Sequence, residues 1–100
     1  MEIKIQKEDL KKIILILINK LEISAEDSFV LDEDLYWNIL DEELYDPYKD
    51  PKNLTMGSLA DDWAFLQNVV EGNRGMIDYD LVKIAAILKF LAKKNLNSEL

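Results

Sequence analysis

The sequence predicts a mostly α fold: a small bundle of three to four helices forming a single helical domain over residues 1–100. Three observations predict it. Apolar residues recur at helical spacing in three stretches. Start and stop residues bracket two of those stretches. Glu2-Ile3-Lys4-Ile5 alternates as a strand does, but four residues are too few to weigh against helices.

The first helix is carried by Leu10, Ile13, Ile14, Leu17, Ile18 and Leu21, which share one helical face. Leu15 and Ile16 widen that face until the helix is apolar almost all round. Such a helix is either central, packed by neighbours on several sides, or half of a homodimer seam. A buried strand through Ile13–Ile18 is a third reading, opposed by the helical spacing beyond that run. Ahead of it, Glu2-Ile3-Lys4-Ile5 alternates as a short N-terminal strand would.

Residues 22–55 show no sustained period and read as a long irregular acidic segment. There is room for a short helix over Ser24–Leu31 and a short element of either type over Leu35–Leu40. Asp46-Pro47 and Asp50-Pro51 oppose helix and favour turns. Phe29, Tyr36, Trp37, Tyr45 and Tyr48 argue against disorder.

The second helix is predicted from about Met56 to Glu71, with Thr55 as N-cap, an apolar stripe of Leu59, Trp63, Leu66 and Val70, and Gly72 as the left-handed stop. The third is predicted from about Tyr79 to Lys94. Asp78 caps it, Leu81, Ile84, Ala85, Leu88 and Ala92 form its stripe, and Asn95 ends it. The short link Gly72–Ile77 predicts that these two helices pair antiparallel.

Composition excludes more than it assigns. The 100 residues include no cysteine and no histidine. Disulfides, thiolate metal sites, a cysteine nucleophile and the commonest neutral-pH acid/base are thereby absent. Arg74 is the single arginine, which leaves almost no bidentate recognition of phosphate or carboxylate. The apolar run Ile13–Ile18 is far short of the roughly 20 residues that span a bilayer. Met1-Glu2-Ile3-Lys4 does not open a secretory leader. A cytoplasmic location is the expectation.

The net charge of −8 is unevenly placed. Residues 1–21 carry five lysines against Glu2, Glu8 and Asp9, a net +2. Residues 22–62 carry thirteen acids against Lys49 and Lys52, a net −11. Residues 63–100 carry five basic residues against four acids, a net +1. Nucleic acid and anionic membranes both require basic surface, so neither is an expected partner. A basic protein is.

Four candidate chemistries arise. Asp61-Asp62 and Asp78/Asp80 resemble paired carboxylates. Neighbouring helical residues diverge by about 100°, however, and helix-start electrostatics accounts for both pairs. A calcium loop from Asp32 would place Asp34 third and Glu43 twelfth, but Tyr36 and Trp37 stand where an oxygen ligand and the turn glycine are needed. Ser24, Ser28, Thr55, Ser58 and Ser98 have no histidine base, which leaves only a Ser–Lys arrangement formally open, and no nucleophile elbow or phosphate loop accompanies them. No catalytic, metal or cofactor-binding residue is therefore expected, and no cofactor. The fourth candidate is the acidic-aromatic segment. Asp32, Glu33, Asp34, Tyr36, Trp37, Asp41, Glu42, Glu43, Tyr45 and Tyr48 combine interface-forming rings with steering carboxylates.

The stretches Leu35-Tyr36-Trp37-Asn38-Ile39, Leu44-Tyr45-Asp46-Pro47, Leu54-Thr55-Met56-Gly57-Ser58-Leu59-Ala60-Asp61-Asp62-Trp63 and Tyr79-Asp80-Leu81-Val82 resemble a group of small uncharacterised bacterial proteins. The resemblance runs from Leu35 to Leu91 and is most specific in the Leu-Thr-x-Gly-x-Leu-x-Asp-Asp-Trp string. It implies no activity and no site residue. In size, charge and class the chain is also similar to small acidic helical immunity proteins that neutralise bacterial toxins, without their paired-tyrosine motif.

The functional expectation is a non-enzymatic protein-binding module for a basic partner, of the immunity or inhibitor kind. The alternative is a homodimeric structural or accessory protein built on Leu10–Leu21. Behind both stands a small carboxylate-dependent enzyme or ligand-binding domain.

Overall fold

The computed structural model describes residues 2–21 and 28–99, the last three by their backbone alone. Among these residues the elements run α1 (Lys7–Asn19), β1 (Leu35–Ile39), α2 (Asp41–Leu44), β2 (Leu54–Ser58), α3 (Leu59–Val70) and α4 (Tyr79–Glu99). The chain divides into two units, Leu31–Leu91 and Met1–Val30 with Ala92–Leu100.

The expectation of a mostly α bundle is corrected in Leu31–Leu91. The acidic segment is not irregular throughout: it supplies β1, where an element of either type was expected, and the first two residues of β2, the two strands forming a β-hairpin. β1 and β2 pair antiparallel, with Tyr36 opposite Gly57, Trp37 opposite Met56 and Ile39 opposite Leu54. Alternation was present in Leu35, Trp37 and Ile39, but five residues form too short a window to stand out. Met56 and Gly57 lie in β2, so α3 starts at Leu59, later than the periodicity suggested. Its N-cap is Ser58, whose hydroxyl accepts from the Asp61 N–H, and not Thr55.

The connection between the strands is far longer than the two to five residues usual in hairpins. One side chain organises it. Glu43, in the single turn of α2, accepts the backbone N–H groups of Lys52 and Asn53 at 3.1 and 3.2 Å. The Asp46 carboxylate accepts the Tyr48 N–H across Pro47, a side-chain-closed turn.

α3 ends as its glycine predicts. Gly72 has φ +77, and its N–H donates to the Val69 carbonyl while Asn73 N–H donates to Asn68. This is the paired closure of a Schellman motif. Beyond it Arg74 turns inward. Its guanidinium grips both oxygens of Asp80 at 2.7 and 3.1 Å and donates to the Phe65 and Gly75 carbonyls. The Lys83 ammonium sits 3.9 Å from the Phe65 ring centre. The turn between α3 and α4 is thus closed by cation contacts. The single arginine makes its bidentate bond internally.

Among the described residues the buried positions are Leu59, Ile87, Phe90 and Leu91, together with Asp62 and Asp80. Both predicted stripes are therefore rotated. In α3 the inward residues are Leu59, Asp62, Leu66 and Val69, while Trp63 and Val70 are exposed. In α4 Asp80, Ile84, Ile87 and Leu91 face inward, while Leu81 is exposed. Each helix places an aspartate on its inner face, where apolar periodicity does not look for one.

In the other unit, α1 forms as predicted but no residue of it is buried. The central, packed helix is thereby corrected. Leu10 and Ile13–Leu17 are between 44% and 61% exposed. Glu2–Gln6 carry no strand, which corrects the expected N-terminal one. α4 continues through Asn95 to Glu99, so that asparagine is not its stop. Lys94 donates to the Val30 carbonyl at 2.9 Å. The short helix expected over Ser24–Leu31 lies mostly outside the described residues, and Ser28–Leu31 is not helical.

One glycine is indispensable to the hairpin. A Cβ at Gly57 would stand 2.7 Å from Tyr36 Cε2 and Oη and closer still to Cζ, whereas Gly75 has open space. Gly57→Ala is expected to cost about 1–3 kcal/mol of stability, in the range of overpacked sites, and Gly75→Ala to leave the urea midpoint nearly unchanged.

Candidate functional site

The hairpin brings together residues that the sequence left scattered, and it divides them by role. Three of the ten expected partner-binding residues are occupied in holding the fold. Tyr36 lies over Gly57 and donates its hydroxyl to Asp62 of α3 at 2.5 Å. Asp34, just before β1, caps α3 from the far side of the hairpin. It accepts the Ser58 hydroxyl at 2.7 Å and the Ala60 N–H at 3.0 Å, and its carbonyl accepts the Leu59 N–H. A carboxylate at a helix start is favoured by the helix dipole. Glu43 ties the long connection to itself.

The other seven are exposed. Asp32 and Glu33 lie on the approach to β1, and Asp41 and Glu42 follow its end. Tyr45 and Tyr48 stand out from the connection at 84% and 95% exposure, and Trp37 stands out from β1 at 66%.

Trp37 has company that the sequence reading missed. Side chains alternate between the faces of a strand, and directly opposed residues share a face. Leu35, Trp37 and Ile39 therefore lie on one face with Met56 and Leu54. All five are exposed. The signal was the period-two spacing of apolar residues in both stretches, hidden by their brevity.

The electrostatics of the fold-holding groups follow from their partners. Burial, and then the Asp62 carboxylate, push the Tyr36 phenol up to about 12. Arg74, and then the Ile77 N–H, hold the Asp80 carboxyl down at about 2. The Ser58 hydroxyl and the Ala60 N–H hold Asp34 below the ordinary carboxylate range. Asp62 and Asp80, the buried carboxylates among the described residues, are thus each held by a partner. The candidate calcium loop runs into β1, and Asp34 and Glu43 bind backbone and hydroxyl groups there. Among the described residues, no group of three or more acids could hold a metal ion, and no helix is long and apolar enough to cross a membrane. Ser58 is engaged as a helix cap, and Ser24 lies outside the described residues.

No family model, curated protein or solved structure matches the chain.

Removing the Tyr36 hydroxyl leaves Asp62 buried without it. Tyr36→Phe is expected to cost about 1–3 kcal/mol, the range for an unsatisfied buried acceptor. The pH dependence differs at the two ends. A phenol raised in the folded state stabilises below its unfolded value near 10, and that contribution is lost as pH rises from about 10 to 12. Asp80 is lowered, so its contribution is present above about 4 and lost as pH falls towards 2. Urea unfolding across pH should show both limbs, and Tyr36→Phe should remove the alkaline one.

Proposed function

We propose that the chain is a non-catalytic protein-binding module for a basic partner, with an immunity or inhibitor role the one that suits its size and charge. The observation that carries this reading is the hairpin's open face. Exposed apolar side chains around Trp37 stand in a stretch, residues 31–58, with eight acids against two lysines. Rings at an interface supply binding energy, and like-signed carboxylates steer a basic partner and reject an acidic one. A carboxylate-dependent enzyme gains no support, because Tyr36 and Arg74 engage the two buried acids. The likeness of the Leu54–Trp63 string to small bacterial proteins adds no activity. A cytoplasmic setting, consistent with the missing cysteine, completes the reading.

A second reading is favoured by α1. A helix apolar all round is ordinarily covered, and this one has no buried residue. A homodimer through α1 would cover it. Sedimentation equilibrium is the check: a mass that stays monomeric over a wide concentration range removes this reading, and Ile14→Asp should dissociate any dimer that forms.

The test of the first reading is affinity capture from the native host's lysate at low and moderate salt. A basic protein held at low salt and released as salt rises is expected. Trp37→Ala should then weaken binding to that protein by about 2 kcal/mol, roughly thirtyfold. Charge reversal at Asp41 and Glu42 should chiefly slow association. Glu43 is left intact in this design because it holds the connection. Unchanged binding in both variants would remove the proposed surface.

A further inference from the structure

The hairpin has two faces with different fates. On one, Tyr36 crosses Gly57 and binds Asp62, tying that face to α3. On the other, Leu35, Trp37, Ile39, Leu54 and Met56 are all exposed. An apolar sheet face is stable when another layer lies on it, and a helix is one of the few elements that can form that layer.

Resting on the protein-binding reading above, we infer that the open face takes a basic amphipathic helix of a protein partner, laid along the hairpin with its apolar stripe on Trp37. The dimensions suit a helix. Leu35 to Ile39 is four residue steps, about 13 Å of strand. The same length is about nine residues of helix, enough for apolar anchors at i, i+3 or i+4, and i+7. A helix about 10 Å across covers two strands lying about 5 Å apart.

The charge selects its sign. Asp41 and Glu42 follow β1 and are exposed, in a stretch, residues 31–58, that carries eight acids against two lysines. A helix with lysine or arginine flanking its stripe meets opposite charge there. An acidic helix meets repulsion there. Nucleic acid is refused on the same ground, since its phosphates need basic surface.

The test uses the full chain carrying Trp63→Phe, which leaves Trp37 as the only one of the two tryptophans. Trp63 is half exposed, so this change spares the buried positions. The probe is a synthetic peptide of about 18 leucines and lysines at helical spacing, long enough to fold on contact. A scrambled peptide of equal composition measures the effect of charge alone. The expected result is a saturable blue shift of Trp37 emission, with the patterned peptide binding at least about tenfold tighter. Met56→Lys, at an exposed position, should abolish that preference with the circular dichroism unchanged.

Equal binding of both peptides, weakened by salt, would overturn the helix and leave the basic-partner reading standing. Binding of neither would overturn both. A blue shift that grows with protein concentration alone would assign the face to a second copy of the chain and overturn the inference.

Discussion

The hairpin and α3 depend on one crossing. Tyr36 of β1 passes over Gly57 of β2 and ends on Asp62 of α3. Three elements are joined by one side chain, and each end has a requirement. The middle must have no Cβ, and the far end must accept a hydrogen bond inside a nearly buried site. Asp34 makes a second join between the same elements by capping α3 from the opposite strand's approach. Together they explain why a two-stranded sheet, marginal alone in water, persists here. It is a hairpin clamped to a helix.

The same crossing runs through Leu54–Trp63. In that string, Gly57 admits the Tyr36 ring, Ser58 caps α3, Leu59 is buried, and Asp62 receives the tyrosine. That spacing serves the fold. Trp63, by contrast, is half exposed.

Much of the helical content was legible, the inner faces less so. The Gly72 stop is in place, because a left-handed position leaves few other residues to choose. α1 was found because its period is strong. Both inner faces were legible only in part: Leu59, Leu66 and Ile84 turn inward as expected, but Asp62 and Asp80 also occupy core-facing positions, and charge counts as outward in any apolar period. Their partners, Tyr36 and Arg74, lie 26 and 6 positions away. The hairpin failed for another reason, since two strands of five residues leave too little alternation to see. At the candidate site the chemistry was legible and the arrangement was not. Trp37, Tyr45, Tyr48, Asp41 and Glu42 stand outward. Tyr36, Asp34 and Glu43 were drawn from the same pool but spent on the fold, and Leu35, Ile39, Leu54 and Met56 were hidden in a stretch that looked irregular.

The cap supplied by Asp34 has a consequence for how the structure opens. A helix capped by its own neighbours can fray and re-form alone. α3 takes part of its cap from the chain entering β1, some two dozen residues upstream, so its first turn and the hairpin are released in one cooperative event. Amide exchange at Ala60 and Asp61 therefore reports on the integrity of a strand to which neither residue belongs.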